Sequence, residues 1–234
     1  MQIGILGGTG PAGKALAARL ASVGFDVVIG SRSKYRALEV RDQLLTKWGG
    51  RHLTIDASDN DGAAQCEVVV LATPWDGATE TAMSVAARLN GKVVICMANA
   101  LARINGEFQP LVPPRGSVAA SVQAAVPGSM VAAALQHLPA KELGMIDDPI
   151  ESDVLICSDH AEAIECTAEI VRKIPGLRPL DAGSLSNATP IEAFTAVLLE
   201  LNVRYKTRAA LKINGIDGDG ALPGASVGHP EQNA

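Results

Sequence analysis

The sequence predicts an α/β protein with a doubly wound, mostly parallel sheet, a smaller C-terminal α/β portion and a long C-terminal helix. Three observations lead there. Short apolar runs alternate with longer segments of helical spacing, the beat of strands joined by crossover helices. The run Val68-Val69-Val70-Leu71 has no polar alternation, as expected of a strand buried on both faces. The first strand leads at once into Gly8-x-Gly10-x-x-Gly13, a motif whose meaning depends on lying between a strand and a helix.

Residues 2–6 are the first strand and 14–23 the first helix. In the glycine motif, Gly8 permits a tight turn, Gly10 lets backbone approach a pyrophosphate, and Gly13 lets the helix pack on the strand. Free N–H groups at the helix start then face phosphates. This is the Rossmann arrangement, weighed against a plain structural turn. The second strand, 26–30, ends in Ser31-Arg32. A site for NAD would usually carry Asp or Glu there, to bind the ribose 2′-hydroxyl. A hydroxyl, a guanidinium, Lys34 and Arg36 stand instead. Arginine pairs a phosphate through two parallel hydrogen bonds, so the site reads as one for NADP.

The beat continues with a helix over 35–48 and a strand over 52–55. A short helix over 59–65 follows, with Ser58 or Asp59 as its cap. Then come a strand at 67–72, a helix at 75–89 and a strand at 92–96. Proline and glycine punctuate 97–114, which reads as a loop. A helix over 121–126, a strand over 130–135, a strand over 154–158, a helix over 161–173 and a strand over 176–181 come next. Residues 186–211 form the longest helical segment. Its apolar Ile191, Phe194, Val197, Leu198, Leu201 and Tyr205 recur every three or four positions, to pack on the sheet or on a second subunit. Residues 215–234 are rich in glycine and proline without periodicity and read as a disordered tail. Residues 1–130 are thus expected to form the NADP-binding domain, and 131–214 a smaller portion completing the substrate cleft.

Composition sets the outer limits. A hydrophobic share of 47% supports a large core, and an aromatic share of 3% makes that core aliphatic. A net charge of −5 without a basic run argues against a nucleic-acid surface. No apolar run is long enough to span a bilayer, and because the first residues read as a strand, no signal peptide is expected. The four cysteines show neither a C-x-x-C pair nor zinc spacing, so no metal is expected and they read as thiols of a reducing cytoplasm.

Chemistry is expected at strand ends. Thr73-Pro74-Trp75 closes one strand and Met97-Ala98-Asn99 the next, so both should lie near the ribose and nicotinamide of a bound dinucleotide; the plain reading of Pro74 is a helix start. His137, in Leu135–Ala140, is either an acid, base or donor toward substrate, or a satisfied histidine. Gly176–Asn187 is a strand, a turn and a helix start, which beside a cleft would suit an anion. Glu192 is expected to be structural. No Ser-His-Asp set, carboxylate pair or Schiff-base lysine can be assembled. Hydride transfer between two stacked rings needs orientation and water exclusion more than acid–base groups, and suits such a site.

The chain resembles the NADPH-dependent reductases of coenzyme F420, a deazaflavin. The resemblance runs from Met1 to about Ile213. It rests on Ile5–Gly10, Gly30-Ser31-Arg32, Thr73-Pro74-Trp75 and above all on GLRPLDAG followed by LSN within Gly176–Asn187. It implies a homodimeric enzyme moving a hydride reversibly between the NADP nicotinamide and C5 of F420. By motif, Thr9, Gly10, Pro11 and Ala12 would hold the pyrophosphate, and Ser31, Arg32 and Arg36 the 2′-phosphate. Thr73, Gly77, Asn99 and Ala140 would line the ribose and nicotinamide side. The deazaflavin would lie against Gln136, His137 and Leu138 and against Leu211, near the end of the long helix. Where the family pattern has His after Ala-Leu, this chain has Gln136, with His137 one place on; alternation along a strand would turn the two opposite ways. A reductase of a flavin or of a small imine or ketone, and a non-catalytic NADP-sensing module, are the other readings of the same residues.

Overall fold

The computed structural model describes residues 1–216 and 218. The first half runs β1 (Gln2–Leu6), α1 (Pro11–Ser22), β2 (Asp26–Ser31), α2 (Lys34–Lys47), β3 (Ile55–Asp59), α3 (Asn60–Ala63), β4 (Val68–Leu71), α4 (Trp75–Ser84), α5 (Ala86–Leu89) and β5 (Val93–Cys96). The second half runs β6 (Leu101–Ile104), β7 (Glu107–Pro110), α6 (Val118–Ala125), β8 (Met130–Ala133), α7 (Ala140–Leu143), β9 (Ser152–Ser158), α8 (Ala161–Arg172), β10 (Leu177–Asp181), a 3-10 turn Leu185–Asn187 and α9 (Ala188–Tyr205).

Eight strands form one sheet in the order β10-β9-β8-β5-β4-β1-β2-β3. β3 through β8 in that order are parallel, as expected of a doubly wound sheet. Every residue of β4 and β5 is buried, because helices cover both faces. Alternate side chains feed two cores. Val68 and Val70 pack with Leu16 and Leu20 of α1, Val40 of α2 and Ile170 of α8. Val69 and Leu71 pack with Ala78 and Ala82 of α4 and Val122 of α6. Among the described residues, no helix is long and apolar enough to cross a membrane, and no cluster could hold a metal ion.

Four elements differ from expectation in position or extent. The strand expected over 52–55 lies at 55–59, where Ile55 and Ala57 turn inward and the register against β2 runs from Val27–Ile55 to Ser31–Asp59. The helix expected over 75–89 breaks at Val85, which leaves the helical region (φ −124°, ψ 18°) while burying its side chain. The loop expected over 97–114 contains the hairpin β6–β7, turned by Asn105 (φ 52°) and Gly106 (φ 90°). That Asn-Gly pair is the sequence signal for a two-residue hairpin. The long helix ends at Tyr205, not at 211, because Lys206 takes a left-handed conformation (φ 51°, ψ 43°). The expected tail begins at 215, and apart from residues 215, 216 and 218 it lies outside the described residues.

A larger consequence comes from β9, which runs antiparallel to β8 and carries β10 with it. β9 and β10 therefore point the opposite way to β1, β4 and β5, and Asp181 at the end of β10 pairs with Ile156, next to the Cys157–Ala133 pair at the end of β8. The Asp-Ala-Gly turn that follows leads into the 3-10 turn and α9. Its polar groups serve the turn. Asp181 accepts from the Gly183 amide at 2.8 Å, and Asn187 donates to the Ala182 carbonyl at 2.6 Å instead of capping the helix. Gly176 (φ 85°) is fixed by space, since a Cβ there would come within 2.8 Å of the Ile150 backbone. Arg178 forms a fork with the fully buried Asp153 (2.8 and 2.7 Å) and donates to the Ile213 carbonyl at 2.8 Å. Burial pushes the Asp153 carboxyl up, but Arg178 and the Ile213 amide outweigh it and hold it below its ordinary value. The most family-specific string of the sequence thus fastens the residues after α9 onto the sheet.

Candidate active site

β1 pairs with β2 on one side and β4 on the other, so the chain reverses direction across the sheet beside β1. The crevice outside the carboxyl ends of the strands at such a point is where open α/β sheets bind ligands. The loop after β1 closes it. The Gly8 amide donates to the carbonyls of Gly30 (2.9 Å) and Ile5 (3.1 Å), tying this loop to the end of β2. The left-handed residue of the turn is Gly7 (φ 70°), packed on Thr73 at the end of β4. Gly8 has a different requirement: a Cβ would sit 2.8 Å from the Ile5 carbonyl oxygen. A Cβ on Gly13 would sit 2.7 Å from the Gly8 Cα. Gly10 is spatially free, its nearest atom 3.6 Å from a would-be Cβ. Gly8 and Gly13 are thus glycines for the fold, whereas nothing in the protein itself demands one at position 10. No side chain caps the start of α1, and Pro11 stands in its first turn, so the amides of that turn open on the crevice beside Thr9 and Ala12.

The end of β2 is basic. Arg32 and Lys34 are exposed and, among the described residues, form no ion pair. Ser31 is buried and its hydroxyl accepts from the Ser33 amide at 3.3 Å. Arg36 is committed differently, pairing with Glu39 at 2.6 Å. Ser33, not singled out in the sequence, caps α2. On the other side, Pro74 precedes α4, and a Cβ on Gly77 would meet open space.

The second wall follows β8, which stops at Ala133. Leu135 is almost fully buried yet left-handed (φ 67°), a conformation rare for a bulky residue and commonly found at functional sites. This kink ends the strand alternation expected at 136 and 137. Gln136 and His137 are both buried and both line one cavity of about 460 Å3, with Leu138, Pro139 and Ala140. Asn99 braces the kink, donating to the Gln136 carbonyl at 2.7 Å and accepting from Thr195 at 3.2 Å. Both polar side-chain atoms of Gln136 are buried without a hydrogen-bond partner among the described residues. His137 Nε2 lies 2.8 Å from the Asp153 carbonyl oxygen, which can only accept, so Nε2 carries the proton. Nδ1 is then an acceptor, also buried and without a partner among the described residues. Burial holds the His137 pKa below its ordinary value, against the pull of the Asp153 carbonyl, so the ring is neutral at neutral pH.

α9 and the hairpin complete the cavity. Thr195, Leu198 and Asn202 line it from the helix, Leu101 and Phe108 from the hairpin, and Arg208 from beyond the helix end. The Phe108 amide donates to Glu200 at 2.5 Å, which docks the hairpin on α9. None of these was singled out for this wall from the sequence; helical periodicity marked which α9 residues are apolar, not which face the cavity. Leu211 does not line the cavity. Its carbonyl accepts from the Asp153 amide at 2.7 Å, so it braces the strand behind His137. A larger depression of about 530 Å3 lies beyond Ala140 and Lys141 between α1 and α2, off the strand ends of the crevice.

Glu192 spans the two layers as expected of a structural residue. Its oxygens accept from the Val118 (2.8 Å) and Ala119 (3.2 Å) amides at the start of α6. Burial, opposed by those two bonds, pushes its pKa up to about 7 from 4.5. A folded-state pKa above the unfolded one means the native protein holds a proton the unfolded chain has released. Stability is fullest below pH 4.5 and falls as pH rises toward 7. Glu192→Gln should flatten that decline, on the order of 2 kcal/mol, in urea melts from pH 5 to 8. A variant with the same slope as the parent would assign the titration elsewhere.

Comparison with known proteins agrees with this geometry. Residues 2–100 match the family model described as NADP oxidoreductase, coenzyme F420-dependent. The F420-dependent NADP reductase of Methanocaldococcus jannaschii is 35% identical over 213 residues, covering 89% of this chain and 95% of that protein. That of Methanothermobacter thermautotrophicus is 33% identical, covering 90% and 93%. The crystal structure of a candidate F420-dependent NADP-reductase from Arthrobacter sp. FB24 superposes with a TM-score of 0.78 at 24% identity, over 91% of this chain and 99% of that one.

Proposed function

Because the chain belongs to the family of coenzyme F420-dependent NADP oxidoreductases, we propose that it transfers a hydride reversibly between NADP(H) and coenzyme F420 across the crevice described above. The observation that carries the assignment is a basic-edged dinucleotide crevice next to a cavity with unpaired polar atoms at Gln136 and His137. When bound, the two rings supply all of the redox chemistry, the nicotinamide exchanging a hydride with C5 of the deazaflavin. The chain supplies binding, orientation and exclusion of water.

In this reading the residues 9–13 turn presents amides, those of Thr9 and Ala12 among them, to the pyrophosphate, while Pro11, which has no N–H, starts the helix and Gly10 lets the phosphates approach. Arg32 and Ser31 hold the 2′-phosphate, with Arg36 secondary because Glu39 already engages it. Thr73, Pro74, Gly77, Asn99 and Ala140 border the ribose and nicotinamide. Gln136, His137 and Leu138 face the deazaflavin. The Gln136 amide offers both a donor and an acceptor to a polar ring edge, and neutral His137 offers an acceptor. Hairpin β6–β7 covers the cavity with Leu101 and Phe108. Residues 1–130 hold the dinucleotide, and 131–214 complete the substrate side.

Two further parts of the proposal concern the assembly and its setting. Phe194, Val197 and Tyr205 of α9 are exposed apolar side chains at helical spacing, which a second copy would cover in a homodimer. Light scattering should then give twice the 24.2 kDa chain mass. The free cysteines suit a reducing cytoplasm. The activity itself is tested by mixing purified protein, NADPH and F420 and following deazaflavin absorbance. No turnover from mildly acidic to mildly alkaline pH would remove the assignment, and turnover of FMN or a small imine alone would redirect it.

A further inference from the structure

Arg19 lies in the third turn of α1, is 1% exposed, and forms no ion pair among the described residues. Burial lowers its pKa, opposed by the nearby Asp148 and Asp147, but a guanidinium stays charged at any working pH. Its donors are spent on one stretch of backbone. Nε donates to the Leu143 carbonyl (3.1 Å), Nη1 to those of Ile146 (3.3 Å) and Asp148 (2.9 Å), and Nη2 to those of Glu142 (3.0 Å) and Met145 (2.6 Å). These carbonyls belong to the end of α7 and the turns after it, where a helix leaves carbonyls without intrahelical partners. A guanidinium has five N–H groups in a rigid plane, and here each finds its own acceptor.

The two ends of this brace are the two halves of the site. α1 begins at the glycine loop, about 12 Å up the helix axis from Arg19. α7 begins at Ala140, the end of the wall formed by Gln136–Ala140. The helices touch closely, since a Cβ on Gly144 would sit 3.3 Å from that of Ala15. Arg19 itself lines neither cavity.

We infer that Arg19 is a positioning residue for hydride transfer: it fixes the substrate-side wall against the dinucleotide-binding helix and so sets the approach of the two rings. The inference rests on the function proposed above. Arg19→Lys keeps the charge and the stem but offers only three donors from one point. It should leave the NADPH dissociation constant within about twofold, raise that of F420 severalfold, and lower kcat about tenfold, the scale expected when reactants are displaced by a fraction of an ångström. The primary isotope effect on kcat with NADPH deuterated at C4 should rise, because ring-to-ring transfer becomes slower. Gly144→Ala displaces α7 from the other side with Arg19 intact and should give the same pattern, which decides the matter if the lysine variant does not fold. Wild-type kcat, isotope effect and F420 affinity in a folded variant would overturn the inference. So would parallel losses of NADPH binding, F420 binding and kcat tracking the folded fraction. Absence of F420 turnover in the wild type, in contrast, defeats the functional assignment and the inference that depends on it.

Discussion

Replacing Arg32 by alanine should raise the Michaelis constant for NADPH by about 30- to 150-fold and leave that for NADH little changed. The estimate is the loss of a charge-assisted, two-pronged contact to phosphate, about 2–3 kcal/mol. The structure sharpens the choice of residue. Arg32 is exposed at the end of β2 with no ion pair among the described residues, whereas Arg36 already holds Glu39 at 2.6 Å. The companion variant Arg36→Ala should therefore have the smaller effect. Arg32→Lys should recover only part of the loss, because an ammonium is a point charge without the planar fork. Steady-state kinetics with both nucleotides checks this, and equal losses for NADPH and NADH would contradict the assigned role.

The second large effect is a contrast between glycines of one motif. Gly10→Ala should fold like the parent, since its Cβ would have only a carbonyl oxygen at 3.6 Å. The same methyl would stand where a pyrophosphate meets backbone amides, and the loss of such contacts should cost about 2–3 kcal/mol, or roughly 30- to 150-fold in NADPH affinity. Gly13→Ala should do the reverse. Its Cβ would press to 2.7 Å from the Gly8 Cα, and backbone cannot swing aside as a side chain can. A loss of about 3 kcal/mol in stability is expected, with weakened binding only as a consequence of unfolding. Thermal melts with and without NADPH separate the two. A Gly10→Ala protein that binds normally would place the pyrophosphate elsewhere.

Both predictions draw on residues legible in the sequence. The glycine spacing, the basic end of β2 and the strand ends at Thr73 and Asn99 are local signals, and the alternation of apolar runs with helical segments gave the parallel sheet. The substrate wall was harder to read. The expected opposition of Gln136 and His137 followed from strand alternation, and Leu135 cancels it by turning left-handed two residues after β8 ends. Helical spacing carries the expected helix as far as Leu211, whereas the helix stops at Tyr205. The hairpin at Asn105-Gly106 carried its turn signal openly, but its strands are short and mostly exposed, without the apolar pattern that marks the central sheet.

Sequence alone determined the cofactor class and its variant, because glycine spacing and a missing carboxylate act through contacts among neighbours in the chain. Tertiary structure decided what faces the second ring. That wall is assembled from residues 99, 108, 136–140 and 195–208, whose meeting depends on the reversal of β9 and on a backbone kink with no local signature. Side-chain patterns encode which residues are buried; which buried groups are brought together is set by the packing of elements far apart in the chain.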